Sequence, residues 1–64
     1  MNLYLITAID PNQRDDPTQE HSYFRLTLAE ANLVRARLQS PTYGYEVVVI
    51  ELVLKGNTTT AKLV

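Results

Sequence analysis

The chain has no cysteine in its 64 residues. That excludes a disulfide staple and a thiolate metal site. A chain this short buries only about 60% of the surface its unfolded form exposes, so regular packing or oligomerisation must supply what covalent bracing does not. Histidine is nearly absent as well. His21 stands alone, with no second imidazole or thiol at ligand spacing, so no metal site is expected. There is no glycine-rich phosphate loop, since Gly44 and Gly56 are the only glycines, and no cofactor is expected. Ser22 and Ser40 have no base and orienting acid at recognisable positions, so no catalytic residue is assigned.

Charge of one sign is also missing. Six basic and seven acidic residues leave a formal charge of −1, which excludes a strongly basic footprint on DNA and the heavily acidic surface of a nucleic-acid mimic. No apolar segment reaches the roughly 20 residues needed to span a bilayer. Met1-Asn2-Leu3-Tyr4 carries no basic region, so no signal peptide is expected. Together with the lack of cysteine this fits a cytoplasmic protein of one domain, residues 1–64.

What is present is organised around Tyr45 to Leu54, Tyr-Glu-Val-Val-Val-Ile-Glu-Leu-Val-Leu, the longest β-branched run. Val and Ile are stiff at χ1 and favour a pleated surface. Gly44 and Gly56-Asn57 bound the run as turn residues. Its alternate residues divide into Val48, Ile50, Leu52 and Leu54 on one face and Tyr45, Val47, Val49 and Val53 on the other. Both faces are apolar, as in an interior strand. Glu46 and Glu51 fall on opposite faces and so form no catalytic carboxylate pair.

The remaining elements follow from similar patterns. Asn2 to Ile9 reads as a first interior strand, ended by Asp10-Pro11. Asp10 to Glu20 is a polar loop whose Asp10, Asp15, Asp16 and Glu20 lack EF-hand spacing and its turn glycine, so it is read as solvated. His21 to Leu26 alternates as an edge strand. Thr27 caps a helix running to Gln39, with Glu30 three residues on completing a capping box. Leu28, Ala31, Val34 and Leu38 form the stripe expected to meet the sheet, with Ala29, Leu33 and Ala36 on a weaker second strip. Lys55-Gly56-Asn57 makes a tight hairpin into Thr58–Val64, a second polar edge strand.

The fold class is therefore α+β, a four-stranded antiparallel sheet of β-β-α-β-β order with spatial order 2-1-3-4 and one helix packed on one face. The helix is expected to cover Leu3, Leu5, Phe24, Leu26, Val48, Ile50, Leu52 and Leu54. The other face is then open and carries Tyr4, Ile6, Ala8, Tyr23, Arg25, Tyr45, Val47, Val49, Val53 and Lys62. Within it, Tyr4, Ile6, Tyr23, Arg25, Tyr45, Val47, Val49 and Val53 are the candidate partner-binding residues, because a contiguous apolar patch with Tyr and Arg has the composition of an interface. The expected partner is a protein, with a homodimer as the first use of the face. The alternative is a weak single-stranded nucleic-acid or RNA-binding module. It would use Tyr23, Tyr43 and Tyr45 for base stacking with Arg14, Arg25, Arg35 and Arg37, although the aromatic-and-basic signature of known RNA-binding sheets is absent.

The layout also carries a resemblance. A Met-started apolar strand, a polar loop, a short strand running into Leu26-Thr27-Leu28-Ala29-Glu30-Ala31, and a valine-rich strand closed by a Gly-Asn hairpin resemble very small phage and mobile-element proteins. Some anti-CRISPR inhibitors of β-β-α-β-β type are among them. The resemblance implies a non-enzymatic inhibitor or accessory protein that covers a surface of a host machine. It transfers no functional residue, and with Lys55 and Lys62 as the only lysines the chain departs from the lysine-rich surfaces of such inhibitors.

Overall fold

A computed structural model describes residues 2–13 and 20–64. Four strands and one helix follow in the order β1 (Asn2–Ile9), β2 (Glu20–Arg25), α1 (Leu28–Leu38), β3 (Glu46–Lys55) and β4 (Thr58–Leu63), with a 3₁₀ turn at Pro11–Gln13. The strands form one sheet of order β2-β1-β3-β4. Each neighbouring pair is antiparallel, and the two apolar strands lie at the centre. The α+β architecture and the strand order are those expected. β2 is shifted by one residue to include Glu20 and omit Leu26, and β3 omits Tyr45 and includes Lys55.

Local chemistry explains the boundaries. After β1, the Asn12 amide donates to Asp10 Oδ1 at 2.9 Å, closing a side-chain turn that stops the strand. Asp15 and Asp16 of the polar loop lie outside the described residues. The Thr27 hydroxyl accepts from the Glu30 amide at 3.2 Å and donates to Glu30 Oε1 at 3.0 Å, so cap and third-residue carboxylate are joined to each other. The helix closes with the Gln39 amide on the Arg35 carbonyl, and the Tyr45 amide then donates to the Leu38 carbonyl at 3.1 Å, leading the chain into β3. The β3–β4 hairpin turns on Gly56, with φ of +56°, while among the described residues no non-glycine residue takes positive φ. Positive φ at the first central residue alone is the type II′ pattern, whose twist matches the flanking strands.

The helix sits on the face opposite to the one expected. The buried cluster is Tyr4, Ile6, Ala8 and Val49 of the sheet with Ala31 and Leu38 of the helix, and Tyr23, Val34, Tyr45 and Val47 pack against it half-buried. Of the expected open face, Tyr4, Ile6 and Val49 are thus core residues. Tyr23, Tyr45 and Val47 line the same helix-covered layer, and Arg25 and Val53 are half-buried on that side of the sheet. Conversely Phe24, Leu26, Val48 and Leu54, expected beneath the helix, are exposed. Leu3, Leu5, Ile50 and Leu52 keep part of their surface in water.

The inversion has a packing cause. Alternation divides two apolar faces but does not say which one a helix takes. Side chains in a core must interdigitate at close-packed density. On the observed face Ala8 lies on a central strand and Ala31 on the helix, and both are fully buried. These two small residues let the helix approach between flanking tyrosines. The other face puts Leu5, Phe24 and Ile50 side by side across its middle. On the helix, Ala31, Val34 and Leu38 form the expected stripe. Leu28 at its start is more exposed, and Leu33 on the second strip is 72% exposed.

Candidate interaction surface

The face left open by the helix is built from the register of the strands. Leu5 of β1 stands opposite both Phe24 of β2 and Ile50 of β3, and Ile50 stands opposite Leu63 of β4. Phe24, Leu5, Ile50 and Leu63 therefore form one apolar row across all four strands. A second row alongside runs Leu3, Leu52, Ala61, and on the other side lies Ser22, Thr7, Val48. Side chains directly opposite on one face lie about 4.5–5.5 Å apart at Cβ, so each row is continuous. One end of the face is acidic, because Ile9 stands between Glu20 and Glu46. Among the described residues no helix lies over this face. Phe24 is 54% and Leu63 70% exposed. The sequence pattern hides the patch because Leu3, Leu5, Phe24, Val48, Ile50 and Leu52 read as core. The signal that could have found it was Ala8, the small residue on the opposite face of β1.

The helix-covered face carries most of the polar chemistry. Across it runs the row Arg25, Tyr4, Glu51, Lys62. The Tyr4 hydroxyl donates to Glu51 Oε2 at 3.2 Å. Burial first, then the hydrogen bond and charge of Glu51, raise the Tyr4 phenol above its ordinary pKa. Arg25 Nη1 donates to the Phe24 carbonyl at 2.7 Å, and its Cζ lies 6.0 Å from the Tyr23 ring centroid, at the limit of a cation–π contact. Arg25 also lines a shallow cleft of about 260 Å³ with Glu30, Leu33, Val34 and Arg37.

His21, Tyr43, Tyr45 and Arg35 are engaged within the fold, and Arg14 lies outside the described residues. The His21 ring stacks on Tyr45 with centroids 5.8 Å apart, and Tyr43 is tilted against Tyr45 at 5.6 Å. Arg35 Nη2 donates to Asn32 Oδ1 at 2.6 Å, across one turn of the helix. Glu46 stands opposite Ile9 and Glu51 opposite Tyr4, on opposite faces. Among the described residues, no three His, Asp or Glu side chains are grouped to hold a metal ion, and no helix is long and apolar enough to cross a membrane. Comparison with family models, with curated proteins and with solved structures gives no match for this chain.

Proposed function

We propose that this chain is a small non-enzymatic protein-binding module whose working surface is the open sheet face centred on Leu5 and Ile50. The observation that carries this reading is the row Phe24, Leu5, Ile50, Leu63, which extends apolar side chains from one edge of the sheet to the other with no described element above it. An apolar patch of this extent on a soluble domain marks an interaction site. An antiparallel sheet that faced water on this side would instead alternate apolar-in with polar-out. The inhibitor or accessory role implied by the phage-protein resemblance belongs to the same class, since it needs a surface that covers a partner and no reaction. A cytoplasmic setting suits a chain that forms no disulfide.

The nucleic-acid reading has less support. It needs Tyr23, Arg25 and Tyr45 on an open sheet face. Tyr23 and Tyr45 instead pack against the core, and His21 and Tyr43 occupy the flanks of Tyr45.

A photoreactive side chain placed at Ile50 tests the protein-binding reading. It should form adducts with protein, either another polypeptide of a cell extract or a second copy of the chain. The same group at Leu33, exposed on the outer side of the helix, should not. Equal labelling at the two positions, or none at Ile50, would overturn the reading.

A further inference from the structure

We infer that the occupant of the open face is a second copy of this chain. The copies stack sheet on sheet about a two-fold axis running along the Phe24–Leu5–Ile50–Leu63 row. The inference rests on the reading of that face as a protein-binding surface and names its partner.

The monomer leaves a deficit of burial. Its accessible surface is 4705 Å². Scaling for a monomeric protein of its 7.3 kDa mass gives about 4,200 Å². Ile6 is the one large side chain among the described residues that is fully buried. Oligomerisation is a normal remedy for a chain of this size with no covalent staple.

The open face has the area such a remedy needs. Four strands spaced about 4.8 Å apart, each rising about 3.3 Å per residue, give a face of about 20 × 25 Å. Stacking two copies would remove about 1,000 Å² from water before side-chain relief is counted, which reaches the floor of roughly 1,000 Å² for a biological interface, and side-chain relief adds to it. Packed sheets lie about 10 Å apart, a gap that the apolar side chains of two such faces fill.

The charges choose the orientation. A closed dimer requires a patch complementary to itself. Glu20 and Glu46 both lie at one end of the face, flanking Ile9. An axis parallel to the strands would bring the two acidic ends together. An axis perpendicular to the strands sends them to opposite ends and places each strand over its own counterpart. The row through Leu5 and Ile50 is the middle of the face, with Ser22, Thr7 and Val48 on one side of it and Leu3, Leu52 and Ala61 on the other. Rotation about this row lays Ile50 over Ile50 and Leu5 over Leu5, while the less apolar Ser22–Thr7–Val48 row meets the Leu3–Leu52–Ala61 row.

The absence of native cysteine makes the test direct. Light scattering after size exclusion should give about twice the 7.3 kDa chain mass for the wild-type chain. Ile50→Cys and, separately, Leu5→Cys should be joined into a covalent dimer by a short bis-maleimide about tenfold or more faster than Leu33→Cys, because stacking raises the effective concentration of one thiol at the other while sheets about 10 Å apart hold the thiols too far apart for a direct disulfide. Two different substitutions on the axis keep the test decisive should one of them impair folding. A wild-type mass equal to one chain across the dilution series would overturn the inference, as would cross-linking of both axis variants no faster than that of Leu33→Cys. If the chain is monomeric while the photoreactive group at Ile50 still labels other proteins, the self-association fails and the protein-binding reading stands. If labelling at Ile50 also fails, both are lost.

Discussion

The hydroxyl of Tyr4 and the carboxylate of Glu51, 47 residues apart in the chain, meet at 3.2 Å across the two central strands. Tyr4 is 8% exposed, so its ring belongs to the core while its oxygen reaches the rim. Burial and the neighbouring carboxylate both favour the neutral phenol, and its pKa is raised in the folded state. A raised pKa means the folded chain holds its proton after the unfolded chain has begun to lose it. The stabilisation is therefore fully present below about pH 10, the unfolded value, and is lost as pH rises through the folded value. Thermal melts followed from pH 8 to 11.5 should show the wild type losing stability above about pH 10, and Tyr4→Phe losing less over the same range. Identical pH slopes for the two would show that Tyr4 does not carry this dependence.

The cap of the helix is a second point where one side chain can be isolated. Thr27 joins both the amide and the carboxylate of Glu30 and is itself exposed. Its loss leaves an amide of the first turn without its partner and removes no core packing. Thr27→Ala should cost about 1 kcal/mol, a fall of about 4–8 °C in Tm for a domain of this size. Thr27→Ser, which keeps the hydroxyl, should recover most of it in the same calorimetric scan.

The β3–β4 hairpin is sensitive through its backbone alone. A Cβ built on Gly56 meets no atom within 4 Å, so space does not oppose a side chain there. The φ of +56° does. Gly56→Ala should cost about 1–2 kcal/mol, the penalty of the left-handed region for a residue with Cβ. Gly56→Asn should recover little of that, because the first central position of a type II′ turn mirrors extended backbone and lies outside the αL basin that Asn tolerates. Urea unfolding of the three chains gives the order, and an alanine variant as stable as the wild type would mean the turn had changed type.

The elements were legible in the sequence because each is specified locally. Thr27 and Glu30 mark one helix end and Ser40-Pro41 the other, and Gly56-Asn57 marks the hairpin. The strand order followed from placing the two least polar strands inside. The choice of face was not legible, because β1 and β3 are apolar on both sides, so alternation carried no decision. Weight of aliphatic side chains pointed to Leu5, Ile50 and Leu52. The fold instead used Ala8 with Ala31, where two small residues admit the helix, and placed Tyr4 and Tyr23 around them. The candidate surface moved with that choice, from the tyrosine face to the leucine face. Its Leu5, Phe24 and Ile50 are the residues that aliphatic weight alone assigns to the core, while Leu63 on the edge strand carries no such assignment.

Two adjacent valines of β3 separate the faces most directly. Val49 is 3% exposed in the cluster beneath the helix, and Val48, one residue before it, is 46% exposed on the open face. A lysine at Val49 would bury an unpaired ammonium among Tyr4, Ile6 and Ala31, a change of the class that costs 3 kcal/mol or more. In a chain of this size that removes much of the total stability, and Val49→Lys should lose its cooperative thermal transition. A lysine at Val48 can extend from the open face into water along its own stem, so the single chain should tolerate it within about 1 kcal/mol. Far-UV circular dichroism of the two variants decides the matter. A folded Val49→Lys beside an unfolded Val48→Lys would mean that the helix covers the other face.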